Sequence, residues 1–296
     1  MQIVKFSARN AKLKKTETKV RAAIDAGTLP IRPRGYRIAS FNLPAGAYDD
    51  PDTGAHRVTC PGAGDCKAVC YAMQGRYLMA NVQRLRIDNH RALLAAYRSG
   101  GVPEVAATLA AGLSRLPRTV GVIRIHDSGD FFSRWYLDAW LTVAQLHPRI
   151  LFYAYTKSVP MIPGTLPRNM VVTFSEGGIW DNKINGRPHA RIFPDQATRE
   201  AAGYTEGNES DLPAVKGETR IGLVYHGTKK ADPAILARLS RGFSHVKGTA
   251  HDVMGRLARA RDARSNKATA SKVTPSQAET LLDLSNRLAD HLFGGV

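Results

Sequence analysis

The fold class this sequence predicts is α/β, a partial (β/α) barrel of parallel strands covered by helices. Two observations carry it. Runs at 37–43, 120–125, 150–155, 170–174 and 220–225 are continuously apolar and not alternating, as strands buried on both faces are. Segments of helical period separate most of them, and polar residues collect directly after the runs, where parallel α/β sheets carry their sites.

Taken in order, residues 11–26 (AKLKKTETKVRAAIDA) predict a helix that Gly27, Pro30 and Pro33 bring to an end. RIASFNL at 37–43 is the first strand, closed by Pro44 and Gly46. The Gly-, Pro- and Asp-rich stretch 46–69 reads as loop. Helices over 78–98 and 103–115 follow, broken at Gly100 and Gly101. VGVIRI at 120–125 runs into His126, Asp127, Ser128, Gly129 and Asp130. A helix over 134–146 comes next, and its Trp135, Tyr136 and Trp140 fall at core spacing. The strand at 150–155 ends in Thr156, Lys157 and Ser158, and that at 170–174 in Ser175, Glu176, Gly177 and Gly178. The run at 220–225 is the last strand, and helices over 233–241, 249–263 and 276–292 finish the chain.

Charge suggests how the chain divides. Of 296 residues, 42 are Lys or Arg and 25 Asp or Glu, for a net +17. Residues 1–40 hold +8 and residues 229–272 another +8, leaving +1 for the other 212. The expected parts are a basic arm at 1–35, a nearly neutral α/β barrel at 36–228 and a basic helical segment at 229–296. Basic ends raise the local concentration of a polyanion, so nucleic acid, DNA or RNA, is the expected partner, and deleting residues 1–35 should weaken its binding. Solvated surface helices are the plainer alternative. A composition 43% hydrophobic and 23% charged excludes wholesale disorder. No apolar run approaches the roughly 18 residues of a membrane span, and MQIVKFSARNAKLKK lacks the apolar core of a secretory leader. Three cysteines are too few for a disulfide scaffold and fit a reducing cytoplasm.

All three cysteines fall within eleven residues, as Cys60, Cys66 and Cys70 in CPGAGDCKAVC. Soft thiolates this close suit zinc or an iron–sulfur centre, and Pro61, Gly62 and Gly64 let the backbone fold back around one point. Structural zinc takes four ligands, which only His56 or His90 could complete; an iron–sulfur cluster with three thiolates keeps one iron open. Spacing alone leaves both readings standing.

The segments CPGAGDCKAVCYAMQGRYLMANVQ, RIHDSGDFFSRWYLDAW and FYAYTKS, with FNLPAG and FSARNAKLKK before them, resemble the gene product 88 family of phages and mobile elements. The resemblance covers residues 6–178. More distantly, the layout is similar to phage radical-SAM-like proteins, in which a three-cysteine loop ending in Cys-Tyr-Ala follows the first strand. That likeness implies a [4Fe–4S] cluster on Cys60, Cys66 and Cys70, with S-adenosylmethionine on the open iron and Tyr71 beside it, in the cytoplasm of a bacterial host. The gaps here are five and three residues where radical SAM enzymes have three and two.

On this reading Asp127 and Asp130 hold the amino group or ribose hydroxyls of S-adenosylmethionine, and Lys157 its carboxylate or a substrate phosphate. His126, Ser128, Gly129, Thr156, Ser175 and Glu176 complete the candidate cofactor site at the strand ends. The local alternatives are that Asp130 caps the helix starting near Ser133, that His126 packs onto an apolar face, and that Lys157 is a solvated turn residue. Three functions compete: a radical-type enzyme acting on nucleic acid or a nucleotide, a zinc-stabilised nucleic-acid-binding protein without catalysis, and a zinc-bearing transglycosylase that exchanges a base through Asp127 or Asp130.

Overall fold

Seven parallel strands form a half-barrel sheet in the computed structural model, which describes residues 3–7, 10–227 and 231–242. Helix α1 (Ala11–Asp25) comes first, with Asn10 as its N-cap: the Asn10 side chain accepts from Leu13 N. Strand β1 (Arg37–Phe41) follows, then a small hairpin of β2 (Ala47–Asp49) and β3 (His56–Val58). The cysteine loop leads into α2 (Ala80–Ser114), which bends where Gly100 and Gly101 leave helical geometry. After it come β4 (Val120–Ile125), α3 (Arg134–Leu146), β5 (Leu151–Thr156), β6 (Met170–Ser175) and β7 (His189–Phe193). The described chain ends with α4 (Gln196–Ala201), β8 (Thr205–Glu206), α5 (Leu212–Lys216), β9 (Arg220–Val224) and α6 (Pro233–Arg241). Sheet order is β1-β4-β5-β6-β7-β9-β8, and every neighbouring pair is parallel.

Because all strands run one way, the carboxyl ends share one edge and the amino ends the other. The pleat sends alternate side chains to opposite faces. On one face Ile38, Val122, Leu151, Tyr153, Ala190 and Ile221 pack against Leu13 and Val20 of α1 and Ala214 and Val215 of α5. On the other, Phe41 and Phe152 meet Trp140 of α3 edge to face. The strands therefore read as unbroken apolar runs, since neither face is wet. Tyr136 and Trp140 are fully buried and Trp135 stacks on Tyr97, as their spacing predicted.

Five strands and five of the predicted helices fall where the sequence put them. Three features differ. The stretch 46–69 contains the β2–β3 hairpin, and β7 and β8 join the sheet, with β8 at one edge beside β9. Residues 1–35 are no free arm: Leu13 and Val20 are buried, Lys12 pairs with Asp211 at 2.7 Å, and Ile38 N donates to Glu17. Burying two such aliphatic side chains is worth about 1.5–3 kcal/mol each, so the predicted deletion would remove part of the core. The expected helices over 249–263 and 276–292 lie outside the described residues, with most of the second basic segment. Among the described residues no helix is long and apolar enough to cross a membrane.

Candidate functional site

The cysteine loop lies across the carboxyl ends of β5 and β6, and its glycines allow the approach. A side chain at Gly62 would place its Cβ 2.3 Å from the carbonyl oxygen of Lys157, so only glycine fits there. Ile179 N donates to Gly62 O and Cys66 N to Gly177 O, stitching the loop to the turn after β6. Gly177 has φ +95°, a left-handed conformation suited to glycine. The carboxylate of Asp181 accepts from Gly177 N at 2.6 Å and Gly178 N at 2.9 Å, and burial raises its pKa to about 6. At the other end of the loop Gly46 O accepts from Cys60 N, while Gly46 N donates to Cys60 Sγ at 3.2 Å.

All three cysteines are free. Burial raises each thiol above its ordinary pKa. The thiols also act on one another, since Cys60 feels Cys66 and Cys70, and Cys66 feels Cys70. Two cations oppose that rise: Lys157 acts on Cys66 and Cys70, and Arg86 on Cys70. The Lys157 ammonium is held by Ser175 O, Ser175 Oγ and Glu176 O at 2.7–2.9 Å, so it is fixed and not a solvated turn lysine. Arg86 is buried with its guanidinium over the Tyr77 ring and one terminal nitrogen unpartnered. Among the described residues no three or more His, Cys, Asp or Glu side chains are drawn around one ion-sized point. His56 Nδ1 is bonded to Asp49 and His90 Nδ1 to Tyr48, and among the described residues neither is grouped with the cysteines around an ion.

Beside the cysteines lies a buried charge network. Arg124, in the middle of an otherwise apolar strand, pairs with Asp127 at 3.0 Å and Asp211 at 2.9 Å. Asp211 is fully buried and also takes Lys12 and the Tyr153 hydroxyl, and these cations hold its carboxyl below the usual range against the effect of burial. Asp127 accepts from the Tyr77 hydroxyl at 2.7 Å, and its carbonyl from the Tyr71 hydroxyl at 2.7 Å. Tyr71 thus sits next to Asp127, one side of the residue exposed, and Arg124 also donates to its hydroxyl. Met73, Leu78 and Met79 stand exposed nearby in sequence.

The remaining candidates hold the scaffold. Both oxygens of Asp130 are occupied, by the Thr156 hydroxyl, Lys157 N and Phe131 N. Asp130 ties the end of β4 to that of β5, and the cap of α3 is Ser133, not Asp130. The Ser128 hydroxyl donates to Leu43 O, and Gly129 (φ +85°) packs against Leu43. His126 does not face the cysteines: its Nε2 meets the Tyr136 hydroxyl on α3, and burial pushes its pKa down to about 3. Glu176 is clamped bidentate by Arg191 from β7. The sequence reading missed Arg124, Asp211, Arg86, Tyr77 and Asp181. A lone arginine inside VGVIRI was the one signal that could have raised Arg124.

Comparison with curated proteins and with solved structures finds no match. The family model described as gene product 88 matches residues 4–264, which includes the cysteine loop, the charge network and every strand of the half-barrel. That span is well over half of the chain, and the chain belongs to the gene product 88 family.

Proposed function

We propose that the chain is a metal-dependent enzyme of iron–sulfur type, with a [4Fe–4S] cluster on Cys60, Cys66 and Cys70 at the carboxyl edge of the half-barrel. One observation carries this reading: three free, half-buried cysteines share one loop docked on the carboxyl edge, beside a Lys157 ammonium held by Ser175 and Glu176, and Lys157 and Arg86 oppose the rise of the thiol pKa values. Buried thiols resist ionisation, so a site that uses them as thiolates needs compensating positive charge from a metal and from the protein. Soft sulfur donors favour zinc or iron–sulfur groups. Among the described residues no group of three donors is drawn around an ion, so ligand type and not placement supports the reading.

Three thiolates leave one iron for an exogenous ligand, and the radical-SAM likeness makes S-adenosylmethionine the candidate. When bound, a cluster of this kind supplies the electron for reductive chemistry. The chain's own residues do the rest. Lys157 and Arg86 balance the negative charge of the thiolates. Asp181, through Gly177 and Gly178, holds the turn on which Cys66 docks. Asp127, Tyr71 and Tyr77 form a polar wall beside the loop, with Asp127 neutralised by Arg124. The substrate class proposed is nucleic acid or a nucleotide, on the strength of the basic charge.

Anaerobic purification followed by iron, sulfide and zinc analysis tests the reading. About four irons and four sulfides per chain are expected, lost on Cys66→Ser. Colourless protein with stoichiometric zinc would refute it and favour the zinc-bearing alternatives. With iron present, dithionite and S-adenosylmethionine should release 5′-deoxyadenosine; none released would remove S-adenosylmethionine cleavage while leaving the cluster.

A further inference from the structure

The opposite edge of the sheet carries a regularity that the cysteine site does not use. Four strands adjacent in the sheet, β1, β4, β5 and β6, are each entered through a Pro-Arg dipeptide: Pro33-Arg34, Pro117-Arg118, Pro148-Arg149 and Pro167-Arg168. Each arginine stands two or three residues before its strand, so parallel packing sets the four side by side along the amino edge. Neighbouring strands lie about 4.8 Å apart, which makes a row of roughly 15 Å.

All four arginines are exposed. Arg118, Arg149 and Arg168 make no side-chain hydrogen bond or ion pair among the described residues. Arg34 donates only through Nε, to Val120 O at 2.9 Å, leaving its terminal nitrogens unused. The backbone beneath is fixed: Arg34 N donates to Arg149 O, and a Cβ on Gly35 would come 2.3 Å from Thr119 O. At the β1 end the row opens into a cleft of about 580 Å³ lined by Arg21, Arg32, Arg34, Arg149 and Tyr36, with Asp25 the sole carboxylate there among the described residues. Arg118 and Arg149 depress the pKa of Arg34 beyond what burial does, so the positive charges repel one another unrelieved. On α1, Lys14 and Arg21 are exposed two turns apart, carrying the basic track on by about 10 Å.

We propose that this arginine row and its cleft bind the phosphodiester backbone of a nucleic acid. Guanidinium groups present planar donor forks that match phosphate oxygens. A regular row on a rigid edge suits a polymer with regularly spaced charges better than a single phosphate ion. At one charge per 3.4 Å of a duplex strand, the row spans on the order of four phosphates. The inference does not depend on the cysteine chemistry: the row can hold nucleic acid whatever the metal proves to be.

The test is binding of the full chain to fluorescein-labelled 20-nucleotide single-stranded and duplex DNA and RNA, by anisotropy across a salt series. The variant is Arg118→Gln/Arg149→Gln/Arg168→Gln, whose side chains make no hydrogen bond or ion pair among the described residues. The charge-matched control is Lys67→Gln/Arg84→Gln/Arg98→Gln, exposed residues of the cysteine loop and of α2. The row variant should lose about tenfold or more in affinity at moderate salt. Its log–log salt slope should fall by about 2 for single strands or nearly 3 for duplex, while the control changes less. An unchanged slope in the row variant, or an equal loss in the control, would overturn the proposal. Thermal melts of both variants beside the parent exclude unfolding as the cause.

Discussion

Replacing Arg124 by Met tests the buried charge network at the heart of the half-barrel. The guanidinium lies between Asp127 Oδ1 at 3.0 Å and Asp211 Oδ2 at 2.9 Å, and neither its side chain nor that of Asp211 is meaningfully exposed. Methionine fills much of the same volume, so packing is largely kept and the loss is electrostatic. Asp211 would retain Lys12 and the Tyr153 hydroxyl, but Asp127 would lose the cation it pairs with. Breaking a buried pair by removing one partner costs about 3–5 kcal/mol. For a unit of this size each kcal/mol moves the melting temperature by roughly 2–4 °C, so a drop of about 6–20 °C is expected. The pH dependence provides an internal check. In the parent the Asp211 pKa is depressed, so its contribution is present above the unfolded value and fades as pH falls through the folded one. Without Arg124 that carboxyl rises, and at low pH it is protonated and neutral. The stability gap between parent and variant should therefore narrow from pH 8 to pH 4, measured by urea denaturation at each pH. A gap below 1 kcal/mol at pH 8, or one that widens towards pH 4, would refute the account.

Gly62→Ala should undock the cysteine loop, because the added Cβ would stand 2.3 Å from Lys157 O. A loss of about 1–3 kcal/mol is expected, with thiol modification by a disulfide reagent roughly tenfold faster; unchanged thiol rates would show that the loop is not held there. His126 and His90 are buried neutral, with pKa values pushed down to about 3 and about 4, chiefly by burial. The unfolded chain then binds protons that the folded one refuses, so stability should fall from pH 6.5 towards 4 by nearly 3 kcal/mol per pH unit for the two together. His126→Asn, which tolerates the positive φ at that position, should halve this slope, and an unaltered slope would assign it to other groups.

The parts that were legible in the sequence are those where one physical requirement dominates. Strands buried on both faces must be apolar throughout, which is why β1, β4, β5, β6 and β9 stood out. Gly100 and Gly101 marked the bend in α2 because both leave helical geometry. β7 was hidden because His189 and Arg191 interrupt it; their polar ends meet Tyr204 and Glu176 across space, contacts that no local pattern encodes. The same holds for the site. Spacing assembled the cysteines, but the groups that act on them come from β5 and α2, and Asp211 reaches Arg124 from 87 residues away. Asp130 and His126 looked functional because strand ends in α/β folds usually are. Here one fastens two strand ends together and the other faces α3.

The two edges of the sheet differ in how their cations are spent, and this bears on how a substrate would reach the cysteines. At the carboxyl edge, Arg124, Lys12, Arg191 and Lys157 are each engaged by carboxylates or carbonyl oxygens of the protein. At the amino edge, Arg118, Arg149 and Arg168 make no side-chain hydrogen bond or ion pair among the described residues. On the proposed reading a polyanion would meet first the edge away from the cysteines. A six-residue strand is about 20 Å long, so nucleic acid bound on the row must continue well beyond it to touch the cysteine loop. Length should then separate the two events. An oligonucleotide of about 4 nucleotides should compete for the row without slowing cysteine modification. One of about 20 should do both, and should lose its protection of the thiols in the Arg118→Gln/Arg149→Gln/Arg168→Gln variant. Protection by the short oligonucleotide, or protection by the long one that survives loss of the row, would mean that nucleic acid meets the cysteines directly and that the amino edge plays no part in bringing it there.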